Sequence, residues 1–246
     1  MNEIELTKPL GQLVAENPAR ARVFDQHGID YCCGGKKRLF QACAEKSLDP
    51  AAVIAELHVA DHVLDPEDAQ RWSNMSIAEL VDHIESTHHF YLRNELPRLS
   101  YLIEKVVSAN ADRHPELYEI ASVFSQFRAE AEVHLHDEET IMFPLCRELE
   151  NPHPRLRRRS GTIRTLFNSM EDDHSAQAAD LAELKRLTNN FTAPTDACDS
   201  YRVMLDTLAH VVSDTYQHVH KENNILFPRA AALESSRSAS HEEVMS

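Results

Sequence analysis

Beyond residue 76, apolar side chains recur at steps of three and four, the spacing that lines one face of an α-helix. One stripe runs Val81, Glu85, His89, Leu92, Leu96, and a second Phe124, Phe127, Ala131, His134, Glu138, Ile141, Leu145. A third is Phe167, Met170, His174, Leu181, and a fourth Leu208, Val211, Thr215, His218, Glu222, Ile225. The stripes predict four long helices near residues 76–110, 115–149, 162–191 and 195–230, parted by breaks that contain Pro, Asn or Thr. The first sixty residues are punctuated more closely. Asn17-Pro18 and Asp49-Pro50 read as helix starts and Gly28 as a helix stop, which makes a set of short helices. The polar, patternless stretch 65–76 reads as a linker. The expected division is therefore a small helical domain over 1–64, a bundle over 77–232 and a flexible tail over 233–246. Only five Gly are present and no long apolar-polar alternation occurs, so the fold class is all-α.

Two of the stripes repeat one another. Residues 134–144 read HLHDEETIMFP and residues 218–228 read HVHKENNILFP, 84 positions later. Such a match points to a duplicated two-helix unit, and a four-helix bundle with approximate two-fold symmetry is its natural product. In each copy a His and a Glu four residues apart share the apolar face: His134 with Glu138, and His218 with Glu222. Burying an ionised Glu costs several kcal/mol unless a charge or metal offsets it. His136 and His220 lie two residues on, toward the opposite side of the helix, and are excluded as ligands. The partner helices offer His174, and either His89 or its neighbour His88, between which periodicity does not choose. Four imidazoles and two carboxylates are too many for one tetrahedral zinc and too nitrogen-rich for magnesium or calcium. A pair of irons fits, each on two His, with Glu138 and Glu222 bridging and an oxygen bridge between the metals.

Composition narrows the setting. The 246 residues are 42% apolar, enough for a real core, and the net charge of −15 argues against broad nucleic-acid binding. The one basic run, Arg155 to Arg159, reads as a solvated loop. The N-terminal text carries no signal pattern and no window approaches a membrane span, so a soluble, cytoplasmic protein without membrane contact is expected. Five scattered Cys suggest reduced thiols; Cys43, Cys146 and Cys198 read as packing residues.

The text DYCCGG, Asp30 to Gly35, followed by the His-rich bundle, resembles the repair of iron centres family over residues from about 8 to 230. That family joins a short N-terminal domain to a hemerythrin-like di-iron bundle, and the register favours His89 over His88. The resemblance implies a di-iron protein that restores iron-sulfur clusters damaged by nitric oxide or oxidants, by iron delivery or by nitric oxide chemistry. Damaged iron-sulfur proteins would be its partners, nitric oxide or dioxygen its small ligands, and a homodimer is allowed. A di-iron nitric oxide or peroxide reductase and a gas-binding or sensing module are the alternatives. Oxygen-carrying hemerythrins have a further His one turn after the third-helix ligand, where this chain has Ala178; that departure implies more open irons.

Cys32 and Cys33 are the candidates for thiol chemistry, because Lys36 and Lys37 nearby would favour thiolates and Gly34 and Gly35 would let a cluster or partner approach. Glu130, one turn before His134, is a candidate for the proton path into the site. Asp173 is a weaker candidate for the ligands' surroundings. Pro144 and Pro228 are expected to reshape the helices that carry the ligands.

Overall fold

The computed structural model describes residues 6–61, 71–151 and 162–244. Residues 65–70 of the expected linker and the basic run Arg155 to Arg159 lie outside the described residues. Helices account for the described elements in full, with no strand among them beyond the single bridge between Pro9 and Arg38. The chain divides into two compact units: Met1–Asp82, Leu145–Phe167 and Gln217–Ser246 form the first, and His83–Pro144 with Asn168–Tyr216 the second.

The first unit begins with four short helices, α1 (Leu10–Glu16), α2 (Arg20–His27), α3 (Leu39–Glu45) and α4 (Pro50–Ala60). Their boundaries follow the punctuation. Asn17 Oδ1 accepts from the Ala19 N–H and Asp49 Oδ1 from the Ala51 N–H, each satisfying a donor that a helix start leaves open. Gly28 closes α2 at φ 61, a left-handed conformation in which a Cβ would be strained. Leu10, Leu13, Phe24, Tyr31, Leu39 and Leu57 form the buried interior. Buried Arg20 is matched by Asp61 at 2.7 and 2.9 Å, so α2 is tied to the end of α4 by a paired charge.

Also in this unit, α5 (Arg71–Asn74) precedes α6 (Ile77–Ile84), whose first turn is doubly capped. Ser76 and Glu79 exchange side-chain to backbone bonds, and the Glu150 carboxylate accepts from the Ile77 and Ala78 N–H groups at 2.7 and 2.9 Å. The last helix runs to Val244, into the stretch read as a tail.

The second unit is a four-helix bundle in its own right. It contains α7 (Phe90–Asn110), α8 (Glu116–Asp137), most of α10 (Thr162–Leu187) and α11 (Asp199–Lys221) up to Tyr216. One hydrophobic core joins all four: Leu99 and Ile103 from α7, Phe124 and Phe127 from α8, Leu184 from α10, and Leu208 and Val211 from α11. The expected stripes therefore face inward, as a 3.6-residue period requires.

Three five-residue segments interrupt the α-helical pattern as π-helical turns: π1 (Glu85–His89), π2 (Glu138–Met142) and π3 (Glu222–Leu226). In each, an N–H reaches five residues back: Phe90 to Glu85 O, Phe143 to Glu138 O, Phe227 to Glu222 O. The reshaping expected from Pro144 and Pro228 takes this form. A proline has no N–H and crowds the carbonyl four residues before it, so a wider turn relieves both. α9 (Phe143–Glu150) and α12 (Phe227–Val244) continue after π2 and π3. The extra residue rotates the helix beyond it about its own axis. Ile141, expected to face inward, is 48% exposed, and Met142 is buried in its stead.

Candidate metal centre

In the second unit His89 closes π1, His134 stands one turn before the end of α8, Glu138 opens π2, and His174 lies on α10. All four are at most 5% exposed. Three ring nitrogens converge on one carboxylate. Glu138 Oε1 lies 3.2 Å from His134 Nε2 and 3.7 Å from His174 Nε2, and Oε2 lies 3.3 Å from His89 Nε2. His134 Nε2 and His174 Nε2 are 2.9 Å apart. Burial alone would raise the Glu138 carboxyl; the charge of His134 and hydrogen bonds from His134, His174 and His89 outweigh it and hold the group well below the usual carboxylate range. His134, Glu138 and His174 offer ligand atoms within 4.8 Å of one another, as do His89 and Glu138.

The neighbouring histidine points elsewhere. His88 Nδ1 lies 2.8 Å from Asp214 Oδ1, and His88 is no member of the Glu138 cluster. Glu130 is exposed, accepts from Gln126 Nε2 at 3.1 Å and is not a member of the Glu138 cluster. Asp173 Oδ2 is 3.7 Å from His134 Nδ1, beyond hydrogen-bond distance, and that buried nitrogen has no hydrogen-bond partner.

In the first unit α11 delivers His218 and π3 delivers Glu222, both buried, with His218 Nε2 3.0 Å from Glu222 Oε1. Neighbouring His220 is buried as well, unlike its exposed counterpart His136. Burial lowers its pKa to about 3, so it is a neutral ring; it packs edge-on against Tyr31 with centroids 5.6 Å apart. Lys221 is buried beneath Trp72, its ammonium 4.1 Å from the ring centroid.

The Cys-Cys-Gly-Gly turn of this unit is organised by Asp30. Its Oδ1 accepts from the Cys32 and Cys33 N–H groups at 3.1 and 3.0 Å, and its Oδ2 from Gly34 N–H at 2.9 Å. The Cys32 thiol, buried, donates to Asp30 Oδ1 at 3.3 Å and lies 3.9 Å from the half-buried Cys33 sulfur. The hydrogen bond with Cys33, burial and the Asp30 charge push the Cys32 thiol well above its usual pKa. This differs from the expectation of lysine-activated thiolates: Cys33, burial and then Asp30 act on the Cys32 thiol, and Lys37 is engaged by Glu45. Cys43 and Cys146 are buried as expected, whereas Cys198 is exposed.

The glycines also serve another purpose than approach from outside. Asn224 of π3 donates its amide to Cys32 O at 2.9 Å, with Tyr31 O at 3.4 Å. A Cβ on Gly35 would stand 2.0 Å from Asn224 Oδ1 and one on Gly11 2.1 Å from it. The absent side chains make room for the chain's own asparagine. Asp30, Asn224, Tyr31 and His220 are functional candidates that periodicity passes over. The available signal was the mismatch between the repeat copies, where Asn224 stands in the place of Thr140.

Buried imidazoles converging on a carboxylate in a helical bundle define a hemerythrin-like cation-binding protein, and the model of the hemerythrin HHE cation binding domain matches residues 80–230. A second family model, described as a domain of unknown function (DUF542), matches residues 6–61. The chain belongs to the family of iron-sulfur cluster repair proteins. It is similar to the iron-sulfur cluster repair protein YtfE of Citrobacter koseri and to that of an Enterobacter species. Each is 32% identical over 92% of this chain and 98% of its own. The same protein of Escherichia coli O81 matches at the same identity and coverage. No helix among the described residues is long and apolar enough to cross a membrane.

Proposed function

We propose that this chain is an iron-centre repair protein that holds two irons through His89, His134, Glu138, His174, His218 and Glu222 and restores iron-sulfur clusters damaged by nitric oxide or oxidants. The observation that carries the reading is the fully buried meeting of three imidazoles on Glu138, a mixed nitrogen and oxygen donor set that suits iron. His134 and His174, whose Nε2 atoms are 2.9 Å apart, would share one iron. His89 and His218 would serve the other, and Glu138 and Glu222 would bridge. The bound irons supply ligand exchange and redox chemistry. The chain's own part is to keep Glu138 ionised, present ring nitrogens to the site and exclude water.

The Cys pair serves the transfer side of the same function. Cys33, the more accessible sulfur, is the thiol that meets a damaged cluster, and Cys32 is its buried neighbour. Damaged iron-sulfur proteins of the cytoplasm, where thiols remain reduced, are the partners. The names of the relatives, which span nearly their whole length with this chain, support the reading.

The test uses protein purified without oxygen. Two irons per chain are expected, together with recovery of activity by an iron-sulfur enzyme previously damaged by nitric oxide. A Cys32→Ser, Cys33→Ser double variant should keep its iron and fail to repair. Absence of bound iron overturns the metal assignment, and a parent that fails to repair overturns the function. Catalytic consumption of nitric oxide without repair would favour a reductase.

A further inference from the structure

In the first unit, a single short turn serves two sites. The π3 segment opens with Glu222, fully buried and 3.0 Å from His218 Nε2. Two residues on, Asn224 donates its amide to Cys32 O at 2.9 Å and occupies the room left by the missing Cβ atoms of Gly11 and Gly35. His220, one turn before Asn224, packs edge-on against Tyr31, so the same stretch of chain meets the dithiol turn twice. The dithiol turn is also fastened to α1, by Gly11 N–H to Gly35 O at 2.9 Å and Leu10 N–H to Lys37 O at 2.8 Å. Pro228 keeps π3 from relaxing. A proline crowds the carbonyl four residues before it, here that of Asn224, so the turn cannot tighten into an α-helix without cost. A stiff turn passes a displacement on instead of absorbing it.

We propose that Asn224 is a positioning residue that links the metal ligand Glu222 to the Cys32–Cys33 pair, so that Cys32 is shielded while metal is bound and becomes reactive when the metal leaves. The inference rests on the proposed two-iron reading and deepens it, since it makes the thiols available at the moment iron has been given up. Bound metal compensates the Glu222 carboxylate and anchors π3. Once the ion departs, a buried carboxylate must find another partner or a proton. Glu222 shifts, and Asn224, on the same stiff turn, shifts with it. The bond to Cys32 O is lost, and the turn that keeps the Cys32 thiol buried against Asp30 loosens. Such coupling is reciprocal, so freeing the dithiol turn weakens metal binding by the same factor.

The full chain, reduced and kept without oxygen, is compared after loading with Fe²⁺ and after stripping with a chelator. Each form is treated with iodoacetamide at one pH, and mass spectrometry follows every cysteine. Cys32 should alkylate roughly 2- to 13-fold faster in the stripped chain, the span that one net hydrogen bond allows. Exposed Cys198 and buried Cys43 should each keep one rate in both forms, which separates a local release from general unfolding. Asn224→Ala should still take up two irons from excess Fe²⁺, yet show fast Cys32 alkylation whether loaded or stripped. Thr140→Ala, at the matching place in the first copy of the repeat, should keep the parent's difference in full. Equal Cys32 rates in the two forms of the parent overturn the proposal, as does a Cys43 that speeds up with Cys32. Protection by metal that persists in Asn224→Ala overturns it too, since the metal would then act on the thiols directly. A parent that binds no pair of irons overturns the two-iron reading itself, and the stoichiometry measured before stripping tells that failure from the others.

Discussion

Gly35→Ala tests how closely the dithiol turn is fitted to the π3 segment. The new methyl carbon would lie 2.0 Å from Asn224 Oδ1 and 2.7 Å from Tyr31 O, against the roughly 3.5 Å at which non-bonded heavy atoms rest. Asn224 must swing away, because the Tyr31 carbonyl belongs to the backbone. Overpacking of this kind costs about 1–3 kcal/mol. Loss of the 2.9 Å bond from Asn224 to Cys32 O adds about 1 kcal/mol. Alanine recovers roughly 0.5–1 kcal/mol by restricting the unfolded chain. The net expectation is a loss of about 1–3.5 kcal/mol, or a melting temperature lower by roughly 2–14 °C for a chain of this size. Thermal melts followed by circular dichroism measure it. Combining Gly35→Ala with Asn224→Ala removes the closer of the two clashes. The double variant should therefore lose about 1 kcal/mol less than the two single losses added together. A Gly35→Ala chain as stable as the parent, or strict additivity in the double variant, would refute the packing argument.

Replacing Glu138 or Glu222 by Leu should leave the helical circular dichroism intact and lower the iron content sharply; two irons retained in both variants would remove the bridging role. His89→Ala should lose iron while His88→Ala, which removes the contact with Asp214, should keep it, as metal analysis of both will tell. The thiols should alkylate in a fixed order at pH 8. Exposed Cys198, whose thiol is pushed down by backbone hydrogen bonds from Tyr201, should lead, and Cys32 should come last. A raised pKa means less thiolate at any given pH, so Cys32 labelling should climb about tenfold per pH unit across the alkaline range. Mass spectrometry showing Cys32 modified before Cys198 would contradict this.

The helices and the inward faces were legible because a 3.6-residue period, read through residues such as Phe124, Phe127 and His134, records burial directly. The HxHxE repeat marked the chemistry because two buried carboxylates demand compensation. The choice between His88 and His89 was not legible from periodicity, and the physical reason is π1. A segment that spends an extra residue in one turn has no single period, so neighbours on either side of it cannot be placed by counting. Ile141 leaves its stripe for the same cause at π2. Around Cys32 and Cys33, proximity in sequence favours Lys36 and Lys37, and proximity in sequence is a poor guide inside a turn. Once folded, Asp30 takes the thiol and Glu45 takes Lys37. Gly34 and Gly35 announced that something approaches closely, but not that Gly34 makes room for Asp30 and Gly35 for Asn224, nearly two hundred residues away.

The π turns also carry a record of descent. Both copies of the repeat widen at the same place, Glu138–Met142 and Glu222–Leu226, immediately before the same Phe-Pro. A one-residue insertion shared in position by two copies is most simply older than the duplication that made them, so the ancestral half-bundle already carried it. Asn224 departs from the repeat. Its counterpart Thr140 is exposed and bonded only to its own helix, at His136 O. The seat for the dithiol turn thus belongs to one copy of the repeat and not to the other, so the duplicated ligand-bearing turn serves a second purpose in its second copy alone.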